Sequence, residues 1–157
     1  MNKKQIKNFS AGIVLLLGVI AFIAPFKSAL LFNKSDSLPH KVYFLIKGNN
    51  WEKGDLVAIK NFTTSYTQNQ HFTKQIVGEA GDQMTVVDGY VLVNDIKYAK
   101  LKPKTKDHKK LTPIVEEKIP QQYFFVLAQH KDSFDSRYQE FGLVHKDYIE
   151  GKAYPVW

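Results

Sequence analysis

The hydrophobic positions of the chain follow two different patterns, one before residue 27 and another after residue 40. Between Asn8 and Phe26 the sequence has no charged residue and is mostly apolar. About 20 helical residues, each rising about 1.5 Å, cross the roughly 30 Å hydrocarbon core of a bilayer. The first pattern therefore predicts one transmembrane helix over residues 9–27.

A cleaved signal peptide is the alternative interpretation of this segment. The residues before it are basic, and Ala21 to Ala24 include small side chains of the kind found at a cleavage site. However, the apolar run is longer than the core of a usual signal peptide, and Lys27 and Lys34 follow it without a clean cleavage motif. We therefore expect a retained anchor.

After residue 40 the apolar residues recur in short runs that are rich in β-branched and aromatic side chains and are bounded by turn residues. Asp88-Gly89 is a strong two-residue hairpin signal, and the polar residues 61–71 predict a loop. The predicted strands are 41–47, 55–60, 72–78, 83–87, 90–94 and 123–128. The second pattern thus predicts a mainly β, antiparallel domain over residues 35–157, with little helix outside the membrane segment.

Residues 97–118 interrupt this pattern with eight lysines and two prolines and without an apolar period. Such a composition predicts a solvated loop, not a packed element. A role in contacting a membrane surface or a substrate is the alternative.

The composition narrows the possible functions. A length of 157 residues with 44% hydrophobic residues suits one compact domain with a core. The chain has no cysteine, which excludes disulfides, thiol catalysis and cysteine-ligated metals. The histidines are scattered without the spacing of a helical zinc site: His40, His71, His108, His130 and His145. We expect neither a metal nor another cofactor.

Basic residues set the expected orientation in the membrane. Lys3, Lys4 and Lys7 precede the apolar run, so the positive-inside rule places residues 1–8 in the cytoplasm as a basic tail. The β domain is then expected on the outer, periplasmic side of a bacterial inner membrane. The net charge of +7 falls to +4 without these three lysines, which fits contact with anionic lipid and does not call for nucleic acid.

Ser37 is the first candidate for chemistry. It lies in Ser37-Leu38-Pro39, directly before the first predicted strand, where the proline stiffens a turn and holds the hydroxyl in place. Alone, this is a common turn sequence.

Lys74 and the Asp135–Arg137 pair are the other candidates. Strand alternation puts Phe72, Lys74 and Ile76 on one face, so Lys74 can point inward, although a strand lysine more often extends to solvent. Asp135 and Arg137 lie on one side of an extended chain and can form a bidentate pair, or an ordinary surface ion pair.

Three segments in order behind one anchor resemble the signal peptidase I superfamily, serine peptidases whose conjugal-transfer branch, the TraF-type peptidases, is the most similar. They read Ser37-Leu38-Pro39-x-x-Val42-Tyr43, Lys74-x-Ile76-Val77-Gly78-x-x-Gly81-Asp82 and Ser133-Phe134-Asp135-Ser136-Arg137-Tyr138-x-x-Phe141-Gly142. The resemblance covers most of residues 35–157 and implies a signal-peptidase-like β fold.

The resemblance also implies a role for each matching residue. Ser37 would be the nucleophile and Lys74 the general base, with Ser133 orienting the lysine amine. Asp135 and Arg137 would form a supporting salt bridge. Ser35 and the Ser37 backbone N–H would form the oxyanion hole.

Several positions depart from the conjugal-transfer pattern and put a direct transfer of substrate preference in doubt. Lys41 stands where that branch usually has glycine, Gln75 follows the lysine in place of arginine, and Ala80 replaces proline. Ala128-Gln129-His130 replaces Gly-Asp-Asn. None of these changes removes a catalytic group.

The sequence therefore predicts a membrane-anchored serine endopeptidase that removes the signal sequence from a precursor, a conjugative pilin in type IV secretion, alongside other proteins of the conjugation apparatus. Three alternatives remain open. One is a general type I signal peptidase for secreted preproteins. Another is a non-catalytic assembly protein of a conjugation apparatus. The third, a Ser-His-Asp hydrolase built from Ser37, His130 and Asp135, lacks the Gly-x-Ser-x-Gly elbow.

Overall fold

The computed structural model describes residues 12–15, 18, 28–32 and 37–156. Residues 12–15 and 18 are helical, and the rest of the described chain is almost entirely strands and turns. The strands are β1 Ser28–Phe32, β2 Val42–Lys47, β3 Leu56–Phe62, β4 Gln70–Gly78, β5 Met84–Val87, β6 Tyr90–Val93, β7 Ile96–Lys100, β8 Tyr123–Leu127, β9 Val144–His145 and β10 Ile149–Pro155. A short 3-10 helix, Lys146–Tyr148, precedes β10.

Seven strands form one sheet in the order β1-β2-β10-β3-β4-β8-β9, and three form a second sheet in the order β5-β6-β7. Neighbouring strands in both sheets run antiparallel. The last strand, β10, is inserted between β2 and β3, which brings the C-terminal part of the chain beside the first strands of the domain. The predicted mainly antiparallel β fold is confirmed.

One hydrophobic core lies within the larger sheet, and a second joins the two sheets. In the first, residues from β3, β4 and β8 pack against Phe141, Val144 and Ile149. In the second, Met84, Val91 and Val93 of the smaller sheet pack against β4 and β8 of the larger sheet and against residues of the segment that follows β7. On the inward face of β4, the polar Lys74 is followed two residues later by the core residue Ile76, because side chains alternate along a strand. The strand pair β3–β4 therefore directs one polar side chain to the edge of the first core.

The predicted strands are present with shifts of a few residues at their ends. Asp88 and Gly89 have φ of 52° and 74°, the left-handed conformation that the predicted hairpin turn requires. The seven-residue strand β10 is absent from the predicted strands. Two short strands, β1 and β9, were not predicted; each lies at one end of the sheet order and pairs with a single neighbour.

The prediction of a solvated loop for residues 97–118 is wrong in part. Residues 97–100 belong to β7, and Leu111 and Ile114 are buried. These two apolar residues stand among lysines and prolines and belong to no sustained strand or helix period in the sequence. They are buried because the segment folds back over the smaller sheet, where Met84 N–H donates to Glu117 O and Ile119 N–H to Asp82 O.

The predicted basic tail and transmembrane helix lie mostly outside the described residues. Within the part of the chain that is described, no helix is both long enough and apolar enough to cross a membrane.

Candidate active site

The turn that carries Ser37 is fixed to the domain at two points. Leu38 is only 4% exposed and packs with Tyr43, Ala128 and Ala153. The Ser37 carbonyl accepts a hydrogen bond of 3.3 Å from the His130 N–H. The half-buried Ser37 is therefore held at the start of the larger sheet, in the turn predicted from Ser-Leu-Pro.

Lys74 points inward from β4, the orientation that strand alternation allows, and is only 3% exposed. It lies opposite Val57 of β3. The rings of Phe72 and Phe141 lie 5.8 and 5.9 Å from its Nζ atom. Nζ donates a 2.8 Å hydrogen bond to Ser133 Oγ. The alternative, a lysine that extends to solvent, is excluded for this position.

Burial lowers the pKa of Lys74 from 10.5 to about 8, because the surroundings disfavour the ammonium. The carboxylate of Asp135 acts in the opposite direction and raises the pKa of this amine, while the Arg137 guanidinium lowers it. At pH 7 a pKa near 8 leaves about one amine in ten unprotonated, against about one in a few thousand for a free lysine. The site therefore contains an amine that can accept a proton near neutral pH.

Asp135 and Arg137 form a fully buried bidentate pair and not a surface pair, with exposures of 0% and 1%. Arg137 Nε lies 2.7 Å from Asp135 Oδ1, and Nη2 lies 2.9 Å from Oδ2. Asp135 Oδ2 also accepts from the Ala128 N–H at 3.0 Å, and Arg137 Nη2 donates to Ala128 O at 3.2 Å. The pair thus fixes the chain that follows Ser133 onto the end of β8.

Ser37, Lys74 and Ser133 line one cleft of about 660 Å³. The lining combines apolar and aromatic side chains with a larger number of polar ones, including Leu31, Ile59, Phe72, Phe134, His130 and Asp132. A cleft of this kind can take an extended peptide segment with its backbone beside Ser37 and Lys74. Ser35 lies outside the described residues, so the predicted oxyanion hole stays a prediction.

Among the contacts of the described residues, none joins Asp135 to His130, as a Ser-His-Asp triad requires. The Asp135 carboxylate is bonded to Arg137 and to the Ala128 N–H. His130 Nδ1 accepts a hydrogen bond from the Asp132 N–H at 3.2 Å, so it is not a donor to an aspartate. Among the described residues, no group of three His, Asp or Glu side chains is placed to hold a metal ion.

Two contacts of the site were not predicted from the sequence. His130 contacts the Ser37 turn through its backbone N–H, a contact that side-chain chemistry cannot indicate. Ser136 is fully buried, and its Oγ accepts from the Val126 N–H at 3.1 Å while its own N–H donates to Val126 O. In the sequence, only the position of Ser136 inside the Ser-Phe-Asp-Ser-Arg-Tyr motif indicated that this residue belongs to the site.

Comparison with known protein families shows that this chain is a serine peptidase. More narrowly, it belongs to the family described as "Signal peptidase, peptidase S26", whose model matches residues 3–157. The resemblance to the signal peptidase I superfamily is therefore confirmed. The particular similarity to its conjugal-transfer branch stays a prediction.

Among solved structures, the chain is similar to a signal peptidase I from Enterococcus faecalis V583, with 20% sequence identity and a TM-score of 0.43. The match covers 66% of this chain and 96% of that chain. No curated protein matches the chain.

Proposed function

We propose that this protein is a membrane-anchored signal peptidase that uses Ser37 as nucleophile and Lys74 as general base to remove the signal sequence from a precursor. The observation that carries the proposal is the buried Lys74 amine, held 2.8 Å from Ser133 Oγ in the cleft that Ser37 also lines. Only a buried and oriented amine has both the pKa and the direction that a general base needs.

In the proposed reaction, the neutral Lys74 amine takes the proton of the Ser37 hydroxyl as Ser37 Oγ attacks the scissile carbonyl carbon. The Lys74 ammonium then gives this proton to the departing amine, and an acyl-enzyme remains. Water, deprotonated by the same amine, releases the acid and restores Ser37. The Ser37 N–H and the Ser35 hydroxyl would stabilise the oxyanion, and Ser133 would keep Lys74 directed at its partner.

The proposed anchor comprises residues 9–27, with residues 1–8 in the cytoplasm and residues 35–157 in the periplasm. The uncharged apolar run and the lysines before it support this arrangement. An anchored enzyme meets a precursor whose own signal sequence lies in the same membrane. Anionic lipid next to the domain suits its excess of basic residues.

The proposed precursor is a conjugative pilin of a type IV secretion system, with other proteins of the conjugation apparatus as possible partners. The support is the Ser37-Leu38-Pro39 spacing, which resembles that of the conjugal-transfer peptidases. A general type I signal peptidase is the second candidate, supported by membership of the family.

Mass spectrometry of a co-expressed pilin precursor tests the proposal. The wild-type enzyme should reduce the precursor mass by that of the signal sequence, while Ser37→Ala and Lys74→Arg should leave it intact. Lys74→Arg keeps the positive charge, but a guanidinium stays protonated and cannot act as a base. The matched controls are Ser65→Ala and Lys60→Arg, which change the same residue types at other positions of the domain.

Each outcome of this experiment has a distinct meaning. Processing by Ser37→Ala would indicate a non-catalytic assembly protein beside another peptidase. Processing by Lys74→Arg together with its loss in His130→Ala would replace the lysine by a histidine base. Cleavage of an unrelated secreted preprotein at a similar rate would favour a general signal peptidase. A product lighter by one further water would show that the enzyme also joins the pilin ends.

A further inference from the structure

The segment from residue 100 to residue 106 is attached to the chain that supports the proposed dyad. Arg137 Nη1 donates to Lys100 O at 3.3 Å, and the Lys102 N–H donates to the Tyr138 hydroxyl at 3.1 Å. The Lys102 Nζ atom forms an ion pair with Asp132 Oδ1. These contacts join the start of the lysine-rich segment to residues 132–138.

The short turn 130–133 connects the two members of the dyad. At one end, the His130 N–H bonds to Ser37 O at 3.3 Å. At the other end, Ser133 Oγ accepts from Lys74 Nζ at 2.8 Å. Within the turn, the Asp132 N–H bonds to His130 Nδ1 and the Ser133 N–H bonds to His130 O. A shift of this turn therefore moves the acceptor of Lys74 and a support of Ser37 together.

The side chain of Asp132 connects this turn to the lysine-rich segment. Asp132 and Ser133 line the active-site cleft on one side and, on the other, a small cavity that Lys102, Leu111 and Tyr138 also line. Lys102 therefore contacts Asp132, a residue of the cleft wall, from the side that faces away from the cleft. Its side chain is 39% exposed and that of Asp132 is 16% exposed, so the pair is only partly open to solvent.

Lys106 provides an internal comparison, because it approaches the same carboxylate. Its Nζ lies 3.9 Å from Asp132 Oδ2, and its side chain is 73% exposed. A long, solvent-exposed ion pair restrains a side chain weakly. The geometry therefore distinguishes Lys102 from the other lysines of the segment.

We propose that Lys102 is a positioning residue of the peptidase: by clamping Asp132 it fixes the 130–133 turn, and through Ser133 it fixes the Lys74 amine. This inference rests on the proposed Ser37–Lys74 dyad and assigns a function to the start of the lysine-rich segment. Lys102 acts through Asp132 and Ser133 and does not touch the reacting atoms.

The clamp predicts a specific change when the lysine is neutralised. In Lys102→Met the turn loosens, so kcat should fall about three- to tenfold, as expected for an ill-oriented base, with KM nearly unchanged because the mutation lies behind the cleft wall. The acid limb of kcat should move up by about 0.5 pH units, since an unpaired Asp132 carboxylate and added water both favour the Lys74 ammonium.

Other titratable and charged groups around Lys74 are the same in wild type, Lys102→Met, Lys102→Arg and Lys104→Met. Asp135 and Arg137 act on it directly, and the cleft also contains His71, Lys106, His130 and Glu150. They are present in each of these profiles, so a difference between Lys102→Met and the other three reports on Lys102.

The test compares kcat, KM and the pH profile of full-length, detergent-solubilised variants on one precursor. Lys102→Met should show the changes above, Lys102→Arg should restore kcat to within about twofold, and the exposed Lys104→Met should match wild type. Lys106→Met should lower kcat less than Lys102→Met. The double variant Lys102→Met with Asp132→Asn has no unpaired carboxylate but also no clamp, so its kcat should stay low.

Three results would overturn the clamp. The first is a Lys102→Met variant with kcat and acid limb equal to those of Lys104→Met. The second is a Lys102→Met variant that has a lower melting temperature but an unchanged kcat at temperatures well below melting. The third is a double variant that regains wild-type kcat, because the defect would then come from an unpaired charge alone. Lys74→Arg keeps the two proposals apart: if it is inactive while Lys102→Met is normal, the dyad stands and the clamp fails.

Discussion

At the scale of single residues, Lys74 determines how activity depends on pH. Its pKa is lowered to about 8, and the neutral form is the base. We therefore predict that kcat rises about tenfold per pH unit well below pH 8 and levels off above it. A pH profile of precursor cleavage measures this limb. A limb centred near pH 6 to 6.5 would indicate an unperturbed histidine instead.

The same lysine should reduce the stability of the protein. Because its pKa is lower in the folded state than in the unfolded state, the unfolded state binds more protons between about pH 8 and 10.5, and wild-type stability rises with pH across that window. Lys74→Met should therefore be inactive but more stable at pH 7, by up to about 3 kcal/mol. Denaturant unfolding should show the difference shrinking above pH 8. If the stability difference between Lys74→Met and wild type were the same at pH 7 and pH 10, the prediction would be contradicted.

The Asp135–Arg137 pair is a residue-scale feature with a large expected energy. Arg137→Ala leaves the Asp135 carboxylate buried without its partner, which we expect to cost about 3–5 kcal/mol of unfolding free energy and most of the activity. The control is Lys47→Ala at the more exposed Lys47–Glu150 pair, with an expected cost below about 1 kcal/mol. Thermal and denaturant unfolding measure both variants, and equal costs would argue against a special role for the buried pair.

At the scale of elements, the position of β10 between β2 and β3 depends on a close backbone approach at Gly151. A Cβ atom there would lie 2.1 Å from Ile46 O and 2.8 Å from Lys47 Cα, so the strands would have to separate. Gly151→Ala should therefore cost about 1–3 kcal/mol or more. Gly48→Ala, where a Cβ meets nothing within 4 Å, is the matched control. Equal melting temperatures for the two variants would show that β10 shifts freely.

At the scale of the whole molecule, the proposed topology puts the catalytic cleft outside the cytoplasm. A reporter that is active only in the periplasm should be active when fused after Trp157, and a reporter that works only in the cytoplasm should be inactive there. The expectation follows from the lysines before the uncharged run. Cytoplasmic activity at the C-terminus would place Ser37 in the wrong compartment for removing signal sequences.

Local patterns in the sequence determined the class of fold and the identity of the candidate groups. Short runs of β-branched and aromatic residues predicted the strands, and Asp88-Gly89 predicted its hairpin, because these signals act over a few residues. Strand alternation allowed an inward Lys74 and the family resemblance implied a general base there, and the structure shows that the side chain is buried. The three ordered motifs identified the family before any distance was known.

Contacts between distant parts of the chain were decided only by the tertiary structure. Ser133 lies 59 residues from Lys74 along the chain, so no local pattern indicates their hydrogen bond. The burial of Asp135 and Arg137 likewise depends on distant backbone, since Arg137 bonds to Lys100 O at the end of β7 and to Ala128 O directly after β8. The same holds for Leu111 and Ile114, which belong to no sustained periodic run but are buried over the smaller sheet. The sequence determined which groups can act, whereas burial, the lowered pKa of Lys74 and the grip of Lys102 on Asp132 arise from long-range packing, because desolvation and orientation depend on neighbours in space.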